Sequence, residues 1–140
     1  MKAIEEIQAR NMDPYKTPFV VDCDASEARS KWIKGISPCL IRSRYRGHWL
    51  TDRKRRLTLT EMFRLQGMDP TKFLVVVPPN QLGHQIGNSM SVNVIERLFY
   101  QIFQATDIGD ATHLEDRWQT GEALRILQET QHCLLYTSPS

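Results

Sequence analysis

Two stretches of this chain hold residues whose types and spacing could do chemistry. Arg42, Arg44 and Arg46 alternate along the sequence. On an extended strand alternate residues share one face, about 6.6–6.8 Å apart at the rise of a strand. Three guanidinium groups in such a row would track the phosphates of a polyanion, an affinity that does not depend on base sequence. Farther on, Gly87-Asn88-Ser89 precedes an apolar-patterned segment. A glycine-containing turn entering a helix offers backbone amides and room for close approach of a ligand; the alternative for Asn88 is that it only caps the helix. A thiol is the third candidate. Cys39 follows Pro38, and a thiolate is a strong nucleophile where its surroundings lower its pKa. Cys23, Cys39 and His48 do not have the spacing of a zinc site, so no metal is expected.

The arginines belong to a wider charged block. From Arg29 to Arg56 there are ten basic residues and one acid, Asp52, a balance of +9 in a chain whose net charge is +2. Such a block is the usual footprint of a polyanion partner, with a solvated, solubilising surface as the alternative. Apolar residues at 41% and charged residues at 24% favour a globular fold over disorder. A length of 140 residues suits one small domain or a piece of a larger one. No apolar run approaches the roughly 20 residues of a membrane helix, and the N-terminal MKAIEEIQAR has no secretory h-region. Three irregularly spaced cysteines fit a reducing, intracellular setting better than a disulfide framework.

The elements that must position these residues can be read from pattern. Residues 1–18, with Pro14 and Pro18, read as a short helix and an irregular connection. Phe19-Val20-Val21-Asp22 reads as a short strand, and residues 37–49 as an exposed β-ribbon. Thr58-Leu59-Thr60-Glu61 is a capping box that starts a helix, and Gly67 supplies its stop. Phe73-Leu74-Val75-Val76-Val77 is a strand or an extended packing segment, ended by Pro78-Pro79-Asn80. From Met90 to Phe103 the spacing predicts a helix with Val94, Ile95, Leu98, Ile102 and Phe103 on one face, N-capped by Asn88 or Ser89. Thr112-His113-Leu114-Glu115 forms a second capping box, after which Leu114, Trp118, Leu124 and Leu127 stripe a last helix. The final residues, Cys133 to Ser140, resemble a translated sequencing adapter and are set aside as a non-native tail.

Two stretches carry a family resemblance. Arg56-Leu57-Thr58-Leu59-Thr60-Glu61-Met62-Phe63-Arg64-Leu65-Gln66-Gly67, with Arg55 at the leading arginine position, matches the ninth motif of cytosine-5 methyltransferases, R-x-L-T-x-x-E-x-x-R-L-Q-G. Gln85-Ile86-Gly87-Asn88-Ser89-Met90, followed by Val92, Val94 and Ile95, is similar to the tenth motif, Q-x-G-N-[AS]-V-P. Ser91 stands where that pattern has proline. Gly35-Ile36-Ser37-Pro38-Cys39-Leu40, then Arg42 and Arg44, resembles the closing ribbon of the family's target-recognition region. The resemblance spans Lys34 to Phe103, half the chain.

The resemblance implies the C-terminal piece of a DNA cytosine-5 methyltransferase. The fold class would be α/β, the end of a Rossmann-like S-adenosylmethionine-dependent domain together with the end of a small recognition domain. Residues 1–18 would be an N-terminal segment and 19–54 the end of the recognition region as a basic ribbon. Residues 55–104 would return to the catalytic domain, followed by a C-terminal helix at 105–132 and the tail at 133–140. Asn88 and Ser89 would contact S-adenosyl-L-methionine; Arg42, Arg44 and Arg46 would contact DNA; Arg55, Thr58, Glu61 and Arg64 would be structural members of the interdomain contact. The family's nucleophile comes from a Pro-Cys-Gln loop, and neither that loop, its Glu-Asn-Val partner nor the glycine-rich cofactor turn is in the sequence. Pro38-Cys39 lacks the flanking residues and follows rather than precedes the recognition region, so no catalytic residue is expected. The chain alone would be inactive and would need the N-terminal catalytic part of the same enzyme as partner, in the nucleus if the source is a eukaryote. Two rivals remain: a non-catalytic, methyltransferase-like DNA-binding or regulatory protein, and a same-fold enzyme acting on transfer RNA.

Overall fold

The computed structural model describes residues 2–26, 30–106 and 115–126. The chain divides into two compact units, Met1–Val92 and Asn93–Ser140.

The first unit is built around a short, fully buried strand. Phe19, Val20 and Val21 are β-branched or aromatic, which suits a pleated segment covered on both faces, and they form β1 (Phe19–Val21) with all three residues buried. β1 pairs antiparallel with β2 (Trp32–Lys34) on one side and β3 (Trp49–Leu50) on the other. β3 pairs with β4 (Arg55–Arg56), giving the order β2-β1-β3-β4. Register is fixed by pairs such as Val20–Ile33 and Val20–Leu50. Buried Thr51 anchors the start of β1, its hydroxyl accepting the Phe19 N–H at 3.1 Å. Helix α1 (Lys2–Ala9) buries Ala3 and Ile7, four residues apart on one face. Its Glu6 accepts from the Trp32 indole at 3.3 Å.

Helix α2 (Leu59–Leu65) has the boundaries its sequence dictates. Thr58 Oγ1 accepts the Glu61 N–H at 3.2 Å, and Glu61 Oε2 accepts the Thr58 N–H at 2.8 Å. Gly67, at φ +73°, closes the helix. The Gly67 N–H donates to Arg64 O at 2.9 Å and the Met68 N–H to Phe63 O at 3.0 Å, the paired bonds of a Schellman stop. Met62 and Phe63 join Leu40, Leu82 and Ile86 in one apolar core.

Two segments differ from the pattern-based expectation, and a third decides between its two alternatives. Residues 42–44 form one 3-10 turn, not a ribbon. The Arg44 N–H donates back to Ile41 O and the Gly47 N–H to Arg44 O, each at 2.8 Å. These two amides are thus spent within the segment and unavailable to a ladder. Phe73–Val77 takes the second of its two alternatives, an extended packing segment, and pairs with no strand among the described residues. Phe73 stacks on Phe63 and Val77 packs on the core, while Leu74 is 90% and Val76 82% exposed. Pro78-Pro79 does not merely end that segment; it starts helix α3 (Pro79–Asn88), because proline at the first helical position lacks only an amide that has no helical partner anyway. Asn88 is consequently the last residue of α3 and Ser89 its C-cap, and neither is the N-cap of the next helix.

The second unit holds most of α4 (Val92–Ala105). Its apolar face is present as patterned, but none of its residues is buried: Val94 and Leu98 are exposed. Phe99 and Phe103 stack at 5.9 Å. Glu96 accepts from Arg117 Nε at 2.8 Å and from the Trp118 indole at 3.3 Å. Residues 122–126 are helical. The capping residues Thr112, His113 and Leu114, Leu127 and the tail from Cys133 lie outside the described residues.

Candidate functional site

The two patterned stretches meet at one side chain. Gln66, buried at the end of α2, donates through Nε2 to Ile86 O at 3.2 Å and to Ser89 O at 3.4 Å. Its own carbonyl accepts the Val92 N–H at 2.8 Å. One glutamine therefore ties the stop of α2 to the end of α3 and to the residue that opens α4. Ile86 O also accepts from the Ser89 N–H and hydroxyl, so Gln66 adds a donor there and serves Ser89 O as well. Beside this junction lies an open groove of about 390 Å³, walled by Phe63, Met68, Phe73 and Leu82, with Gln85 and Ser89 as its polar members. Ser89 is half-buried, and its hydroxyl donates to Ile86 O at 2.6 Å. The hydroxyl proton is thereby committed, leaving Ser89 Oγ as an acceptor for a ligand's N–H or O–H. Asn88 is exposed next to it, with both a donor and an acceptor. Ser89 lines the groove and Asn88 is its neighbour in the chain; both carry polar groups able to hydrogen-bond a ligand. Among the described residues no carboxylate lines the groove.

The other side of α3 carries the arginine loop. A Cβ on Gly83 would sit 2.1 Å from Tyr45 O, and one on Gly87 2.5 Å from Ile41 O. These two glycines, one helical turn apart, let the backbone of residues 41–45 lie directly on the helix. Between them, His84 Nδ1 donates to Arg42 O at 2.9 Å, and the His84 ring stacks on Tyr45 at 4.1 Å. The Arg46 guanidinium lies 5.5 Å from the Tyr45 ring centroid, and Arg46 Nε donates to Tyr45 Oη at 3.1 Å. Behind the loop, buried His48 places Nε2 3.3 Å from Cys39 O and Nδ1 3.9 Å from the Asp22 carboxylate.

Much of the basic block is internally neutralised. Arg44 Nε donates to Asp22 at 2.6 Å, with both side chains largely covered. Arg56 makes a two-pronged pair with Asp24, both contacts at 2.7 Å, and donates to Gly47 O at 2.8 Å. That guanidinium holds the Asp24 carboxyl below its usual range. Arg55 grips Glu61 through contacts of 2.8 and 2.9 Å, and Arg53 adds a third at 3.0 Å. The Arg55 hydrogen bonds, helped by the Thr58 N–H, lower the Glu61 pKa to about 2. Burial pushes the Cys23 thiol up, away from nucleophilic use at neutral pH. Cys39 is exposed, and the ring nitrogen near it faces its carbonyl, not its sulfur.

Several residues singled out from sequence thus fall close together. Arg55, Thr58 and Glu61 form one bonded cluster, while Arg64 is half-buried and makes no ion pair among the described residues. Arg42 and Arg46 are exposed; Arg44 is turned inward to Asp22. Gln66, Gly83 and His84 were not legible as site residues. The signal for Gly83 was its four-residue spacing from Gly87, which marks a helix face that another backbone approaches.

A mixed module of helices and a small antiparallel sheet, with a basic loop and a groove on opposite sides of one glycine-bearing helix, describes the class of this structure. The family model for the C-5 cytosine-specific DNA methylase matches residues 9–104. The chain belongs to that family. No curated protein and no solved structure matches it.

Proposed function

We propose that the chain is the C-terminal part of an enzyme that transfers a methyl group from S-adenosyl-L-methionine to C5 of cytosine in DNA. The observation that carries this reading is the Gln66 junction, which folds the ninth and tenth motif residues into one unit. In this reading the complete protein has a Rossmann-like catalytic domain, and the missing N-terminal part is the chain's obligate partner. When bound, the cofactor supplies an electrophilic methyl group. Asn88 and Ser89 would hold its polar edge, with Ser89 Oγ as an acceptor. The groove beside them supplies an apolar wall, and the basic loop at 42–46 faces DNA. The Arg55–Glu61 cluster stiffens the entry to α2 where the recognition region returns to the catalytic domain.

The experiment extends the protein upstream through its reading frame and measures transfer of tritiated methyl to cytosine-containing duplex DNA. We expect a Pro-Cys-Gln loop in the extension and label at C5 that is lost when the cysteine of that loop becomes serine. The 140-residue chain alone should give none. Label with the short chain that vanishes only in Cys39→Ser would overturn the reading, as would an extended protein that methylates transfer RNA but not DNA.

A further inference from the structure

The basic block is not uniform, and its contacts divide it. Arg44, Arg53, Arg55 and Arg56 each hold a carboxylate. An arginine so engaged must give up its partner before it can neutralise a phosphate. Arg42 and Arg46 differ: both are exposed, and neither makes an ion pair among the described residues. They bracket the turn that lies on α3, and one helix residue, His84, reaches Arg42 directly and Arg46 through Tyr45. His84 binds the Arg42 carbonyl through Nδ1–H and stacks on Tyr45, and Tyr45 in turn carries Arg46 through its ring and hydroxyl.

We propose that Arg42 and Arg46 are the two phosphate-contacting cations of this loop and that His84 is the positioning residue that sets both. The inference rests on the reading of DNA as the substrate and refines it, replacing three arginines in a row with two on a clamped turn. Long, flexible arginines lose rotamer freedom on binding. A guanidinium already resting on an aromatic ring and held by a hydroxyl has lost part of it beforehand, which favours binding. His84 can serve in this way because Gly83 and Gly87 bring the loop backbone within hydrogen-bond reach of the ring. The Arg42 carbonyl is only an acceptor, so Nδ1 must carry the proton. Duplex DNA is favoured as the polyanion because the chain belongs to a DNA methylase family.

The test uses the full 140-residue chain, a fluorescent duplex and a salt series. Each neutralised phosphate contributes about 0.9 to the slope of log affinity against log salt. Arg42→Gln and Arg46→Gln should each flatten the slope by about one unit, equally on unrelated duplex sequences. Arg44→Gln should leave the slope unchanged. His84→Ala should weaken binding, and in combination with Arg46→Gln the loss should fall short of the product of the single losses by at least about twofold. His84→Asn, whose amide can stand in for Nδ1–H, should recover part of the loss, a result that a general packing role would not give. It also keeps the test open if His84→Ala does not fold. An unchanged slope in Arg42→Gln or Arg46→Gln overturns the proposal, as does a multiplicative His84–Arg46 pair. Failure to bind duplex DNA, or binding of duplex RNA alone, overturns it too. The enzymatic reading is judged separately by methyl transfer: label in DNA with unchanged slopes sinks only this inference, and the expected slopes without label sink only the enzymatic one.

Discussion

Glu61 is where the first turn of α2 meets the basic block, and its ionisation should be measurable as stability. Its carboxylate accepts from Arg55 twice, from Arg53 and from the Thr58 N–H. Its pKa falls from the usual 4.5 to about 2, with the Arg55 hydrogen bonds as the largest cause. At about 1.4 kcal/mol per pKa unit, the whole shift would be worth roughly 3 kcal/mol. The partners are open to solvent, with the Arg55 side chain 39% and that of Arg53 50% exposed. Screening therefore brings the expected contribution to about 1–2 kcal/mol. The sign follows from a folded pKa below the unfolded one: the contribution is fully present above pH 4.5 and is lost as pH falls toward about 2. The perturbation is Glu61→Gln, which keeps size and removes charge. Urea denaturation of both proteins at a series of pH values should show a gap that is largest near neutrality and closes between pH 4.5 and 2.5. A gap of constant size across that range would refute the reasoning, as would a Glu61 carboxyl that titrates near 4.5 by NMR.

Gly83→Ala should destabilise the first unit by about 1–3 kcal/mol, because the new methyl meets Tyr45 O at 2.1 Å and backbone must move. A melting temperature equal to that of the unaltered chain would show that the loop does not lie on α3. Gln66→Leu should cost less, about 1 kcal/mol, since Ser89 O loses the Gln66 donor while Ile86 O keeps the Ser89 N–H and hydroxyl. Chemical denaturation reads it, and an unchanged midpoint would remove Gln66 from the junction.

What could be read from sequence was what is decided locally. Thr58, Glu61 and Gly67 specify the start and stop of α2 through bonds that reach no farther than five residues. Phe19–Val21 likewise declares a strand by composition alone. The errors arose where a distant partner decides. The alternation of Arg42, Arg44 and Arg46 suits a strand, but the neighbours of β1 are already supplied by β2 and β3, and α3 offers the 41–45 backbone a glycine face instead. α3 was hidden because Pro79, Gly83 and Gly87 read as breakers. Proline at a helix start and glycines at a backbone contact carry that meaning only once the contact is known. For the same reason the pattern puts Asn88 and Ser89 at the start of the next helix, whereas they end α3. His84 announces nothing by itself; its role depends on Arg42 and Tyr45, some forty residues away in the chain.

The segment Phe73–Val77 has a consequence for how this polypeptide behaves at high concentration. Five consecutive apolar residues, three of them valine, lie extended without a strand partner, and Leu74 and Val76 are almost wholly in water. A short, uncharged, β-branched window with free amides and carbonyls is the template on which copies of a chain stack into cross-β aggregates. The flanks oppose this: Lys72 sets a charge at one end, and Pro78-Pro79 at the other removes two amide donors in succession. Such gatekeepers slow the growth of a β-stack without hiding its apolar surface. The segment is therefore one place where copies of the chain can self-associate, and a charge introduced at the outward-facing Leu74 or Val76 would oppose it there.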